Sequence, residues 1–291
     1  MNLLSSNKSR FLLSGLVGAT LVGVPLISLL SSQTASTKAL EEMLVMVNQN
    51  IKSTIPADIN PRSSPAVREL EHYLPGDHRH ATIDELAGNI TQVRVASNNG
   101  SRETEDFVSI SSGSYISPRV VLTCAHTGTD PSDRLAAKQY SVRGIDGVEQ
   151  RANLIALSEY HDVALLLVEE PNQHFVPVSI SQSPPEPNQA YRLVGILREP
   201  NARLSIRSNR LITFLRQRRR AEIVIKNDVV QLDVDLYEGQ GHPGDSGSLI
   251  ITQSGQIQGI YTGGRNNACF SVPADTLRDI IGTVIAYTRA E

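Results

Sequence analysis

Ser246 lies in the stretch Gly241-His242-Pro243-Gly244-Asp245-Ser246-Gly247-Ser248-Leu249-Ile250, a glycine-rich turn that runs into an apolar segment. A serine hydroxyl is a weak nucleophile until a base takes its proton, and a tight turn supplies the other requirement of acyl transfer, backbone N–H groups aimed at a developing oxyanion. Gly244 and Gly247 open backbone conformations that a Cβ would penalise. Leu249-Ile250-Ile251 reads as a strand that holds the turn. By itself the stretch also fits an ordinary surface turn. Two upstream segments change that balance. Val120-Val121-Leu122-Thr123-Cys124-Ala125-His126 is a β-rich run ending in a candidate base, and His161-Asp162-Val163-Ala164-Leu165-Leu166-Leu167 sets a carboxylate at the mouth of a buried strand. The order is His126, Asp162, Ser246, with separations of 36 and 84 residues. A carboxylate orienting an imidazole that deprotonates a serine is the logic of nucleophilic hydrolysis.

The segments VVLTCAHT, HDVALLLVEEP and GHPGDSGSLI resemble, in chain order, the three signature segments of the trypsin/chymotrypsin-like serine peptidases. Gly113-Ser114-Tyr115-Ile116 is similar to the family's Gly-Ser-Leu-Ile strand, and Gly259-Ile260-Tyr261-Thr262-Gly263-Gly264 resembles its strand that binds substrate backbone. The resemblance spans residues 89–288. It implies an all-β fold of two antiparallel six-stranded β-barrels, the chymotrypsin-like double barrel, closed by a C-terminal α-helix. It implies a serine endopeptidase that acts on polypeptide substrate through an acyl-enzyme, with no cofactor, no metal and no obligate partner. His126 is then the general base, Asp162 its orienting carboxylate and Ser246 the nucleophile, with the N–H groups of Gly244 and Ser246 as oxyanion hole. Gln240, Tyr261, Thr262, Gly263 and Gly264 become substrate-binding residues, and the Thr262 hydroxyl supports Asp162.

Departures from the family pattern are informative. Gln240 stands six residues before the serine, where an Arg- or Lys-selective relative carries aspartate, and Tyr261 stands where the glutamate-specific bacterial branch carries histidine. A neutral pocket narrowed by Tyr261 suits small, polar or apolar P1 residues. No Ile-Val-Gly-Gly stretch is present, so pairing of Asp245 with a freshly cut N-terminus is not implied. Thr127 occupies the position of the cysteine that animal members carry after the histidine, which places the chain nearer the bacterial, disulfide-poor members. Cys124 and Cys269 are then two buried free thiols, although one bridge is open to an exported protein with two cysteines.

Other classes fare worse. An α/β-hydrolase orders its triad Ser, Asp, His on a G-x-S-x-G elbow; here His242 is the last histidine, and position 248 is serine. A regulated protease-plus-PDZ arrangement has no segment left after the terminal helix. The alternative from another class is a catalytically silent trypsin-like domain that binds peptides or a partner through the same cleft.

The 291 residues carry 27 basic and 30 acidic side chains, a net charge of −3 that gives no sign of nucleic-acid binding. Lys8 and Arg10 precede an uncharged run from Phe11 to Leu30, so residues 1–31 read as a signal peptide or a membrane anchor. Ala35 and Ala39 offer cleavage positions, yet neither has a small apolar residue three positions before it. The protein is expected to be secreted or periplasmic, or anchored through residues 11–30 with the peptidase domain outside. Residues 32–88, with helical spacing at Leu40, Met43, Leu44 and Val47 and then repeated prolines, read as a pro-segment or spacer, or as an ordered arm. His72, His78 and His80 near Asp77 read as solvated loop residues rather than metal ligands.

The resemblance makes residues 89–288 the expected peptidase domain, with one barrel over about 89–175, another over about 176–272 and a helix over about 274–288. Short β runs at 90–96, 107–110, 115–116, 120–123, 154–156 and 163–168 form the first set, bounded by turn residues. The second set is 176–180, 191–196, 211–215, 223–225, 229–234, 249–252, 257–262 and 268–272. Pro184-Pro185-Glu186-Pro187 marks the crossing. Asp275 is a candidate cap, with Leu277, Ile280, Ile281, Val284 and Ile285 on one helical face. Arg216-Gln217-Arg218-Arg219-Arg220 reads as a solvated loop or strand edge, with an anionic lipid surface as the sharper alternative. Asn89-Ile90-Thr91 is a glycosylation sequon in a eukaryotic host.

Overall fold

Turn residues placed every few positions let short apolar runs fold back on themselves, and here they close two antiparallel barrels. The computed structural model describes residues 67, 70–71, 81–97, 106–128, 138–158, 160–197, 205–206, 210–225 and 228–289. The first barrel comprises β1 (Ile90–Ser97), β2 (Asp106–Tyr115), β3 (Val120–Thr123), β4 (Lys138–Arg143), β5 (Glu149–Ser158) and β6 (Val163–Val168). After a two-stranded sheet of β8 (Ile196–Leu197) and β9 (Ser205–Ile206), the second barrel continues from β7 (Ala190–Val194) through β10 (Arg210–Ile225), β11 (Asp228–Glu238), β12 (Leu249–Ile251), β13 (Ile257–Arg265) and β14 (Ala268–Pro273). Ranked by position along the chain, the six strands of each barrel pair in one and the same order, 1-2-3-6-5-4 and back to 1. A short helix α1 (Ile83–Leu86) precedes the first barrel, and α2 (Ala274–Arg289) follows the second.

Strands buried on both faces read as continuous apolar runs, because alternate side chains enter different cores. In β6, Ala164 and Leu166 fill the first barrel, whereas Val163 and Leu165 join a larger cluster between the elements. In β12, Ile250 points into the second barrel and Leu249 and Ile251 into that shared cluster. The shared cluster unites Val120 and Leu122 of β3, Ile260 of β13, and Leu277, Ile281 and Val284 of α2. Burial on this scale contributes about 1.5–3 kcal/mol for each large side chain. The site lies where strands from both barrels meet over it.

Several expectations are modified. The runs 107–110 and 115–116 are one ten-residue strand, β2, continuous through Ser111-Ser112-Gly113-Ser114. Gly113 permits this, since a Cβ there would lie 2.7 Å from Val93 and 2.9 Å from Val121. The runs 211–215 and 223–225 are also one strand, β10, whose register against β11 shifts at Phe214/Arg216 and Arg218/Ala221. Bulges of this kind break the two-residue period. The basic run 216–220 therefore lies on a strand, the second of its two expected settings, and Arg216 and Gln217 are exposed. Residues 176–180 join neither barrel ladder: Pro177 has no N–H to donate, the buried Asn89 side chain bonds both polar backbone groups of Val176, and only Ile180 bridges to Ile257. The same burial removes the Asn89 amide of the sequon from any surface. Strand β4 is an addition. Helix α2 begins at Ala274, so Asp275 lies inside its first turn, where a negative charge meets the helix dipole favourably.

Thr82 and Glu85 form a capping box at α1, and Val67, Leu70, Ala81 and Leu86 are buried in the shared cluster. The described part of residues 32–88 thus packs against the barrels. The signal or anchor segment, residues 1–31, and His72, His78 and His80 lie outside the described residues. Among the described residues no helix is long and apolar enough to cross a membrane. Both cysteines are free and buried.

Candidate active site

Strand β3 ends at Thr123, Cys124 keeps extended backbone, and a single 3-10 turn over Ala125–Thr127 lifts His126 out of the barrel wall. Asp162 sits just before β6 with φ +57, a left-handed conformation that aspartate tolerates better than most residues. The carboxylate is buried and receives three donors. The His126 backbone N–H donates to Oδ1 at 2.9 Å, the His126 Nδ1 lies 2.8 Å from Oδ2, and the Thr262 hydroxyl donates to Oδ2. On the far side of the ring, His126 Nε2 lies 2.9 Å from Ser246 Oγ. A carboxylate only accepts, so the neutral imidazole carries its proton on Nδ1 and turns the Nε2 lone pair to the serine. His126 and Asp162 come from the first barrel, Ser246 and Thr262 from the second.

The Ser246 turn is held by backbone bonds to both barrels. Ser112 N–H donates to Ser246 O at 2.8 Å, and Gly247 N–H to Tyr261 O at 2.8 Å. Ser248 N–H closes the turn on Asp245 O at 2.8 Å. The Ser112 hydroxyl donates to Gly244 O at 3.0 Å. Gly247 has φ +84, and a Cβ there would stand 2.0 Å from Ser112 O; only glycine fits. Gly244 has φ +97 with open space beside it. Among the described residues, the N–H groups of Gly244 and Ser246 donate to no other group.

Asp245, the residue before the serine, is fully buried. It accepts from the His242 N–H at 2.6 Å and pairs with the Arg210 guanidinium at the start of β10. Charge-assisted bonds of this type fix a loop more firmly than neutral ones.

Of the residues expected to face substrate, Gln240 is exposed at the end of the β11 hairpin, Gly263 is half-buried and Gly264 is exposed at the end of β13. Tyr261 is buried. A Cβ on Gly241 would lie 2.0 Å from its hydroxyl oxygen and one on Gly264 2.7 Å from it, so the phenol reaches between these two glycines. Burial pushes its pKa up and keeps the phenol neutral. Cys124 lies beneath the site, where its Sγ donates to Tyr261 O at 3.1 Å. Burial first, then the neighbouring Asp162 charge, pushes the thiol well above its ordinary range.

Arg210, Ser112 and Gly241 are the structurally engaged residues that sequence reasoning passes over. Ser112 sits in a serine-rich stretch with no distinguishing neighbour, and Arg210 meets its partner 35 residues away with no local pattern to mark it. Gly241 alone had a signal, its place five residues before the serine.

A family model described as a trypsin-like peptidase domain matches residues 111–260. No curated protein matches the chain. Among solved structures, the fold is similar to an inactive form of the Rv3671c protease, with TM-score 0.53, 18% identity, and coverage of 70% of this chain and 93% of that one. It is also similar to the active form of the Rv3671c protease from M. tuberculosis, with TM-score 0.54, 16% identity, and coverage of 70% and 84%. At such identities the likeness is one of fold.

Proposed function

The chain belongs to the trypsin-like peptidase family, and from that premise we propose an exported serine endopeptidase that cleaves peptide bonds through a Ser246 acyl-enzyme. The observation that carries the reading is the 2.9 Å approach of His126 Nε2 to Ser246 Oγ, with Nδ1 held on Asp162. In this mechanism Oγ attacks the scissile carbonyl carbon as its proton passes to Nε2. The imidazolium, stabilised by Asp162, returns that proton to the leaving amine. Water then enters, loses a proton to Nε2 and releases the carboxylic acid. The carbonyl oxygen gains negative charge in both steps and takes the N–H groups of Gly244 and Ser246. One such donor is worth about 3 kcal/mol of transition-state stabilisation.

Thr262 and Arg210 act as positioning residues, one on the carboxylate of Asp162 and the other on the serine loop through Asp245. In this reading Gly263 and Gly264, at the end of β13, take substrate backbone, and Gln240, exposed just after β11, faces the P1 side chain. The Tyr261 phenol between Gly241 and Gly264 supports a short pocket that admits small P1 side chains. The uncharged run 11–30 behind Lys8 and Arg10 supports export or anchoring with the catalytic domain outside.

The test is covalent labelling. The chain lacking residues 1–31 is treated with a fluorophosphonate beside a Ser246→Ala control, and the adduct is located by mass spectrometry. One adduct per chain on Ser246, absent from the control, is expected. No adduct, before or after trimming of residues 32–88, would sink the reading and leave a peptide-binding module in its place.

A further inference from the structure

Cys124 has no part in the peptidase mechanism, yet it lies against its centre. One donor atom from each of Cys124, His126 and Asp162 falls within 4.8 Å of the other two. Thiolate, imidazole and carboxylate together are the donor set of zinc and related thiophilic ions, which bind them at about 2.0–2.3 Å in tetrahedral geometry. Tetrahedral donors at such bond lengths stand about 3.3–3.8 Å apart. Shifts of an ångström or less therefore gather these three side chains round one ion, with the Thr262 hydroxyl, already bonded to Asp162, or water as fourth ligand.

We propose that Cys124, His126 and Asp162 form an inhibitory site for a thiophilic divalent cation such as Zn2+. The inference rests on the peptidase reading and adds a control to it. On binding, the Cys124 S–H bond breaks, its proton leaves to solvent and a metal–sulfur bond forms. His126 ligates through Nδ1, the nitrogen that faces Asp162. Its ring proton must then move to Nε2, so net charge on the ring is unchanged while the lone pair that served Ser246 is lost. Asp162 exchanges its role as orienter for that of ligand. One ion disables base and carboxylate at once without touching the serine. The side chain of His126 is 15% exposed and that of Asp162 2%, with Cys124 fully buried. The ion enters only as His126 swings aside, and inhibition develops slowly after mixing.

The test uses the chain without residues 1–31, buffered free Zn2+ for activity, and Co2+ alone as a spectroscopic probe. Zn2+ is expected to abolish peptide hydrolysis and fluorophosphonate labelling, with recovery on chelation. Cys124→Ala and Cys124→Ser are expected to retain hydrolysis and to need at least about tenfold more Zn2+ for half-inhibition, the scale on which losing metal-site contacts weakens affinity. With Co2+ a thiolate-to-metal charge-transfer band is expected in the parent chain and in Cys269→Ala, and is lost in both Cys124 variants. Equal zinc sensitivity in the parent and Cys124 variants overturns the proposal, because the ion then sits on Nε2 from the cleft. An active parent chain with neither inhibition nor band overturns it too, whether or not a variant folds. A band in a chain without hydrolysis or labelling sinks the peptidase reading and leaves the metal site standing.

Discussion

Arg210 lays its guanidinium on the carboxylate of Asp245, the buried residue immediately before Ser246. The pair ties the first residue of β10 to the loop that carries Ser246 and the N–H groups of Gly244 and Ser246 proposed as oxyanion donors. Removing one partner of a buried pair leaves an uncompensated charge and costs about 3–5 kcal/mol. Arg210→Met should therefore lower stability and, through the loosened loop, lower kcat/KM by about 100-fold, the scale of one lost oxyanion donor. Arg210→Lys should restore part of both. Steady-state kinetics and denaturant titration of the two variants check this.

Thr262→Val keeps the volume of the side chain and removes the hydroxyl that donates to Asp162. Hydrogen bonds to charged groups contribute about 1.5–3 kcal/mol. If that support is felt in the transition state, kcat falls about 10- to 100-fold with KM little changed, and Thr262→Ser recovers most of it. An equal rise in KM with constant kcat would assign Thr262 to substrate binding instead.

Tyr261→Val shortens the side chain that reaches between Gly241 and Gly264. Each methylene accommodated or excluded by an apolar pocket shifts selectivity by about 1–3 kcal/mol. Peptides with leucine or phenylalanine at P1 should gain on those with alanine by about tenfold or more in kcat/KM. An unchanged preference would show that the pocket lies elsewhere.

Leu70 and Leu86 are fully buried in the cluster shared with α2. Leu70→Ala and Leu86→Ala should each destabilise by about 2–5 kcal/mol, and deletion of residues 1–88 should lower the midpoint of unfolding further. Equilibrium denaturation measures all three.

Asp235, on β11, is fully buried with neither carboxylate oxygen hydrogen-bonded among the described residues. Burial, and next the charge of Asp275, pushes its pKa up from 3.8 to about 7. The folded state then holds a proton that the unfolded chain has released, so stability declines as pH rises from 3.8 to about 7 and stays low above it. Asp235→Asn should flatten that decline and raise Tm at pH above about 7. Thermal melts across the pH range decide the point; a parent chain whose stability rises over that window would contradict it.

His126, Asp162 and Ser246, of which the fold brings His126 within hydrogen-bond distance of the other two, were legible because each ends or begins a run with its own local signature, and the barrels because turn residues punctuate them. What escaped did so for physical reasons. Strand β4 offers only Tyr140 and Val142 as an alternating pair among polar residues, too short a pattern to stand out. Strand β2 hides in serines that look like a loop but satisfy buried partners, Ser112 bonding Ile196 and Gly244. Bulges in β10 erase its period, and the apolar run 176–180 looked like a strand because hydrophobicity registers burial, not backbone pairing. Contacts such as Arg210 with Asp245 arise only on folding.

Both barrels close with the same strand order, yet each holds only half of the proposed chemistry, His126 and Asp162 in one, Ser246 and Thr262 in the other. A chain divided in the exposed stretch at Glu186-Pro187-Asn188 would give two fragments, each with all the strands its own barrel requires. Neither fragment could hydrolyse peptide alone. Hydrolysis on mixing would report that the two halves had rejoined across the cluster they share, which makes this molecule a complementation reporter whose signal is its own turnover.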